Sequence, residues 1–143
     1  MTQTILLVDD NKTDRYILKR RLEKISDDLV VLEAENGEHA IEAFSDYEAE
    51  REKGPSTKPP LIVFLDINMP IMDGFGLLEA LHSMGSASDS GVPTVFMFTS
   101  SHRDEDKERS MHWDFVKEYI VKGDLSAEKL KSILADHLKA QPV

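Results

Sequence analysis

Five consecutive apolar residues, Leu61-Ile62-Val63-Phe64-Leu65, run straight into Asp66. An unbroken apolar run of this length reads as a strand buried on both faces, the situation of a parallel sheet covered by helices on each side. The Asp66 carboxylate then stands at the carboxyl edge of the sheet, where open α/β folds place their sites. A second run, Thr4-Ile5-Leu6-Leu7-Val8, ends the same way, in Asp9-Asp10. Two strands therefore carry three carboxylates to one edge.

The rest of the chain alternates between the two periods. After the strand at 4–8, a helix is expected over 13–25, with Ile17, Leu18, Leu22 and Ile25 on one face. A short strand at 29–32 turns through Glu35-Asn36-Gly37 into a helix over 38–50. Residues 53–60, rich in proline and lysine, read as a surface loop. The third helix begins near Asp73-Gly74 and uses Leu77, Leu78, Leu81 and Met84, and 85–91 is a loop of small residues. A fourth strand at 94–98 ends in Thr99-Ser100-Ser101, and the position of Pro93 suggests a bulge near it. The helix expected over 103–112 has almost no apolar residue before Met111. A fifth strand at 118–121 ends in Lys122-Gly123, and Ser126 caps a last helix with Leu130, Ile133, Leu134 and Leu138 inward. Five strand–helix pairs with short links predict a doubly wound parallel α/β sheet, with residues 1–143 as a single domain and no output module.

Composition narrows the partners. The formal net charge is -10, which argues against nucleic acid and against anionic lipid. There are no cysteines, so thiolate catalysis and zinc–thiolate sites are excluded. No apolar run approaches the ~20 residues of a membrane span, and no leader pattern precedes the first strand, so a cytoplasmic location is expected.

In the flavodoxin-like strand order 2-1-3-4-5 the first and third strands are neighbours, which sets Asp9 and Asp10 beside Asp66. Three carboxylates that close raise one another's pKa unless a cation joins them. An all-oxygen set suits a hard ion, Mg²⁺ foremost. The fourth strand brings the Thr99 hydroxyl and the Ser100 amide, and the fifth brings Lys122. A nucleophilic carboxylate, a metal, a hydroxyl and an ammonium together suit a phosphoryl group, whose charge spreads over its oxygens.

With Asp9-Asp10, the stretch Asp66-Ile67-Asn68-Met69-Pro70-Ile71-Met72-Asp73-Gly74, Thr99 and Lys122 at successive strand ends, nearly the whole chain resembles a receiver domain of two-component response regulators, similar to the single-domain chemotaxis type. The resemblance implies that Asp66 accepts a phosphoryl group from a phosphohistidine of a sensor histidine kinase or phosphotransfer protein. It implies Mg²⁺ held by Asp10, Asp66 and the Asn68 carbonyl, with Asp9 helping through water. Thr99 and the Ser100 amide would bind phosphoryl oxygens, and Lys122 would pair with them. Asn68 and Ser101 match the positions that tune hydrolysis, and Tyr119 matches the aromatic that turns inward with Thr99. Such a chain is a phosphoacceptor rather than an enzyme. It would signal to a downstream protein target, homodimerisation among the forms allowed. The opening Asp9-Asp10-Asn11-Lys12-Thr13-Asp14-Arg15 is similar to that of receivers partnered with light-sensing kinases.

The chain departs from the pattern in places. Gly123 stands where receivers carry proline, and His112-Trp113-Asp114-Phe115 replaces a small pair before the fifth strand. Other readings compete. A Mg²⁺-dependent aspartyl-nucleophile phosphatase needs an acid two residues after its nucleophile, where this chain has Asn68. A flavin carrier needs a Ser/Thr/Gly-rich loop after the first strand, where this chain has Asp-Asp-Asn-Lys. A pseudo-receiver that only binds partners would not need the five site residues. Asp73-Gly74 reads most simply as a helix cap, Asp9-Asp10 alone as a strand-end turn, and the five scattered histidines as surface or satisfied groups. Lys117 competes with Lys122, but only Lys122 ends its strand.

Overall fold

Each apolar run becomes a strand and each amphipathic stretch a helix. The computed structural model describes residues 3–53, 59–86 and 93–140. Its order is β1 (Gln3–Val8), α1 (Lys12–Ile25), β2 (Leu29–Ala34), α2 (Gly37–Glu52), β3 (Ile62–Leu65), α3 (Gly74–Ser86), β4 (Thr94–Thr99), α4 (Asp104–Met111), β5 (Val116–Val121) and α5 (Ala127–Ala140). A 3-10 turn, Lys122–Asp124, joins the last two. All five strands pair in parallel in the order β2-β1-β3-β4-β5, the flavodoxin-like arrangement expected.

The register sets the site. Val8 pairs with Ala34 on one side and with Leu65 on the other, so Asp9 and Asp66 leave the sheet side by side. The Asp66 N–H donates to the Val8 carbonyl at 3.0 Å. Thr99 pairs with Val121, which puts Lys122 one step beyond the Thr99 level.

Alternate strand residues feed two cores. Leu6, Val8, Val63, Leu65, Val95 and Met97 pack with Phe44 of α2 and with Leu77, Leu78 and Leu81 of α3. Ile5, Leu7, Ile62, Phe64, Phe96 and Phe98 pack with Leu18 and Leu22 of α1 and with Leu130 and Leu134 of α5. Each fully buried leucine contributes about 1.5–3 kcal/mol, so α1, α3 and α5 are firmly held. Helix α4 is not: its buried residue is Ser110, whose hydroxyl donates back to the Asp106 carbonyl at 2.7 Å.

Three local expectations are corrected and one is located. Ile17 is 44% exposed, because the buried stripe of α1 runs through Leu18 and Leu22 and Ile17 lies a residue off it. Gly85 belongs to α3, which continues to Ser86. Strand β5 begins at Val116, because Phe115 and Val116 are buried against the first core. The bulge expected near the fourth strand is present in its pairing with β5, where the extra residue lies on β5: Val95 pairs with Val116 and Phe96 with Glu118, leaving Lys117 unopposed. Lys117 Nζ instead donates to the Asp114 carbonyl at 2.8 Å. Positions 54–58 and 87–92 of the two expected loops, the Leu138 side chain and residues 141–143 lie outside the described residues.

Two positions in the turn from β3 into α3 carry opposite constraints. A Cβ on Gly74 would lie 2.6 Å from the Asp66 carbonyl oxygen and 2.8 Å from Ile67 Cα, both backbone atoms. Ile71 holds φ at 72°, left-handed backbone that a β-branched residue adopts at a cost. Urea unfolding should show Gly74→Ala destabilised by about 1–3 kcal/mol and Ile71→Asn stabilised by about 0.5–1 kcal/mol. Gly123→Ala meets nothing within 4 Å and should be close to neutral. A neutral Gly74→Ala would contradict the packing described.

Candidate functional site

The site is built by strand ends and the loops that follow them. Asp9, at the end of β1, is buried. Its Oδ1 accepts from the Asn11 N–H at 2.9 Å, and its backbone carbonyl accepts from the Arg15 guanidinium. Asn11 is also the N-cap of α1, accepting the Asp14 N–H on its side chain at 3.0 Å. The turn after β1 is thus locked in a shape that aims Asp9 inward and leaves Asp10 exposed. Asp66, at the end of β3, is buried beside it. Asp73 caps α3 by accepting the Gly76 N–H at 2.8 Å, as the capping reading expected. The Gly74 N–H donates to the Ile67 carbonyl at 2.8 Å, which folds the β3–α3 loop back over the strand end.

Lys122 reaches this group from the far side. Its Nζ lies 2.6 Å from Asp9 Oδ2, 2.7 Å from Asp14 Oδ2 and 3.3 Å from Asp66 Oδ2. Of the two competing lysines, Lys122 is therefore the one in the site. Burial alone would lower its pKa, but the bonds to Asp14 and Asp9, with the charge of Asp66, outweigh burial and hold it above its ordinary value. The Asp9 carboxyl is pushed from its ordinary 3.8 up to about 6, chiefly by burial and further by Asp66, with the Lys122 and Asn11 bonds opposing.

A divalent cation fits what remains. Asp9, Asp10 and Asp66 each offer an oxygen, and the three lie within 4.8 Å of one another. Asp66 Oδ1 is buried and has no hydrogen-bond partner. A buried carboxylate oxygen left bare in an acidic cluster is expensive unless a cation completes it. The chemistry of the donor set, all oxygen, suits a hard ion.

The β4–α4 loop forms a second network. Thr99 is fully buried, and its Oγ1 accepts from the Ser101 N–H at 3.3 Å. The Ser101 hydroxyl donates to Asp106 Oδ2 of α4 at 2.6 Å, and the Tyr119 hydroxyl donates to the Ser101 carbonyl at 3.1 Å. Burial raises the Tyr119 pKa despite that bond. Ser100 and Asn68, the other two residues the resemblance pointed to, are exposed. The structure thus gathers Asp9, Asp10, Asp66 and Lys122 into one cluster and ties Thr99 and Tyr119 through Ser101. Asp14 is the member the sequence reading missed. Its signal was faint: a first-turn acid is usual near a helix N-terminus, and nothing local pairs it with a lysine 108 residues away.

In the cation-free protein, removing Asp66 charge should relieve Asp9, and removing Lys122 should do the reverse. Carboxyl ¹³C titration should find Asp9 below about 6 in Asp66→Asn and above it in Lys122→Met. An Asp9 midpoint indifferent to both would contradict this electrostatic coupling.

Comparison with known proteins points one way. Residues 5–135 match the family model described as the response regulator receiver domain. The chain is 31% identical over 138 residues to the two-component response regulator ORR41 of Oryza sativa subsp. japonica, covering 92% of this chain and 91% of that one. It is 38% identical over 103 residues to the nitrate/nitrite response regulator protein NarL of Escherichia coli K12, covering 72% of this chain and 40% of that protein's length. The chain therefore spans well under half of that relative. Among solved structures, the bacteriophytochrome response regulator RtBRR is similar at TM-score 0.71 and 25% identity, covering 100% of this chain and 82% of that one.

Proposed function

The chain belongs to the response regulator receiver family, and from that premise we propose that Asp66 takes a phosphoryl group from a phosphohistidine on a partner protein and thereby switches a protein-binding face. The observation that carries this reading is the pairing of Lys122 Nζ with buried Asp66, whose second oxygen is left bare. An Asp66 oxygen attacks phosphorus, the new P–O bond forms as the P–N bond breaks, and the imidazole nitrogen keeps the electron pair of the broken bond. Lys122, the Thr99 hydroxyl and the Ser100 amide are the donors for the phosphoryl oxygens. Asp9, Asp10, Asp66 and the Asn68 carbonyl would hold Mg²⁺, which when bound supplies positive charge against those oxygens. Burial around Asp9 and Asp66 limits competing water. The acyl phosphate is later hydrolysed and Asp66 regenerated, so the chain is a signalling intermediate rather than an enzyme acting on a separate substrate.

The outgoing signal would use the α4–β5–α5 face. A phosphoryl group adds about -1.5 to -2 charge. Drawing the Thr99 hydroxyl toward it breaks the bond to the Ser101 N–H and disturbs the Ser101 links to Asp106 and Tyr119. Helix α4, held by little burial, is the element that such a loop change can shift. The donor to test first is a light-sensing histidine kinase, on the strength of the likeness to a bacteriophytochrome response regulator and of the Asp9–Arg15 stretch.

Incubation with acetyl phosphate and Mg²⁺, read by intact mass, should add one phosphoryl group to the parent and none to Asp66→Asn. An adduct on both, or on neither, would contradict the assignment.

Cation binding should also show in stability. The folded Asp9 value of about 6 exceeds the ordinary 3.8, so protonated Asp9 favours the fold. In cation-free protein that contribution is present below the ordinary value and is lost as pH rises through about 6. A metal needs the ionised carboxylate. Mg²⁺ should therefore raise Tm well above pH 6 and have little effect well below it. A Mg²⁺ effect independent of pH, or absent, would contradict the site.

A further inference from the structure

Resting on the phosphoacceptor reading, we propose that Asp14 is a positioning residue that withholds the Lys122 ammonium from the phosphoryl group on Asp66. An ammonium has three N–H donors and no more. Three carboxylate oxygens face them, from Asp9, Asp14 and Asp66 at 2.6, 2.7 and 3.3 Å. Nζ donates to Asp14 and Asp66 and forms an ion pair with Asp9, so all three carboxylates compete with an arriving phosphoryl oxygen for the one ammonium, and close pairing with that oxygen requires an exchange.

The geometry says which partner gives way. Asp9 is buried and fixed through its other oxygen by the Asn11 N–H at 2.9 Å. Asp14 stands in the first turn of α1 with its side chain 34% exposed, so water can replace the lysine when it leaves. It nonetheless holds Nζ 0.6 Å closer than Asp66 does (2.7 against 3.3 Å). Its charge also opposes an incoming dianion at close range. Asp14 thus does two things to the same event: it occupies a donor that the phosphoryl group needs, and it repels the group.

Nothing else in the described site depends on the Asp14 carboxylate. Its N–H is capped by Asn11, and its side-chain contact is to Lys122. Asn at position 14 keeps the size and polarity and removes the charge. The expected effect is a gain in affinity for the phosphoryl group, with the strength of Asp14 at this position acting as a brake on phosphorylation and on the lifetime of the product.

The test uses beryllofluoride, an anionic phosphoryl analogue, titrated calorimetrically with Mg²⁺ in excess onto the parent, Asp14→Asn, Asp14→Ser and Asp14→Glu. Asp14→Asn and Asp14→Ser should bind about fivefold more tightly than the parent, the scale of one partly exposed ion pair. Asp14→Glu, which restores the charge, should return to the parent affinity, an outcome that a purely structural role would not produce. Equal or weaker binding by both Asn and Ser variants, or Glu binding as tightly as Asn, would overturn the inference while leaving the phosphoacceptor reading intact. Failure of the parent itself to take up the analogue would overturn that reading and this inference together.

Discussion

One ammonium among three carboxylates governs this molecule. Lys122 lies 2.6–3.3 Å from Asp9, Asp14 and Asp66, which come from the ends of two strands and from the first turn of a helix. Two buried aspartates side by side at the carboxyl edge of the sheet would otherwise repel each other. Lysine does not complete the site: burial, with the Asp66 charge adding to it, still pushes the Asp9 carboxyl up to about 6, and Asp66 Oδ1 is still bare. The site is folded but electrostatically incomplete. It holds too much negative charge for one lysine, which is the condition under which a divalent cation, and with it a phosphoryl group, is welcome.

The scaffold around this cluster is rigid where position matters and loose where movement matters. Strand β3 is buried along its length and β1 at every position but Thr4, and the close approach of Gly74 to the Asp66 carbonyl pins the Asp66 backbone. On the other side, Thr99, Ser101, Asp106 and Tyr119 are joined by single hydrogen bonds to a helix whose buried residue is a serine. A local change at the phosphoryl position therefore meets little resistance on its way to α4. On the proposed reading, this division is how one covalent event on a carboxylate would be read at a surface.

How much of this is legible in the sequence depends on range. Asp66 and Asp9 were readable because continuous apolar runs end in them, and a buried parallel strand can deliver a carboxylate only to the sheet's edge. Lys122 was separable from Lys117 by the same rule. The structure adds that Lys117 is the unopposed residue of a strand irregularity, which no local pattern announces. Ile17 misled because an apolar residue at the margin of a helical stripe has the same periodicity as one inside it. Asp14 was illegible because its partner lies 108 residues away and its own position, a helix first turn, already accounts for an acid.

The central claim is that a single carboxylate, Asp66, carries the phosphoryl group. Borohydride reduces an acyl phosphate to the alcohol, so reduction of the phosphorylated chain followed by peptide sequencing identifies the acceptor. Homoserine at position 66, with Asp9, Asp10 and Asp14 intact, is the predicted result. Homoserine at any of those three positions, or none at all in protein shown by mass to carry the phosphoryl group, would contradict the account.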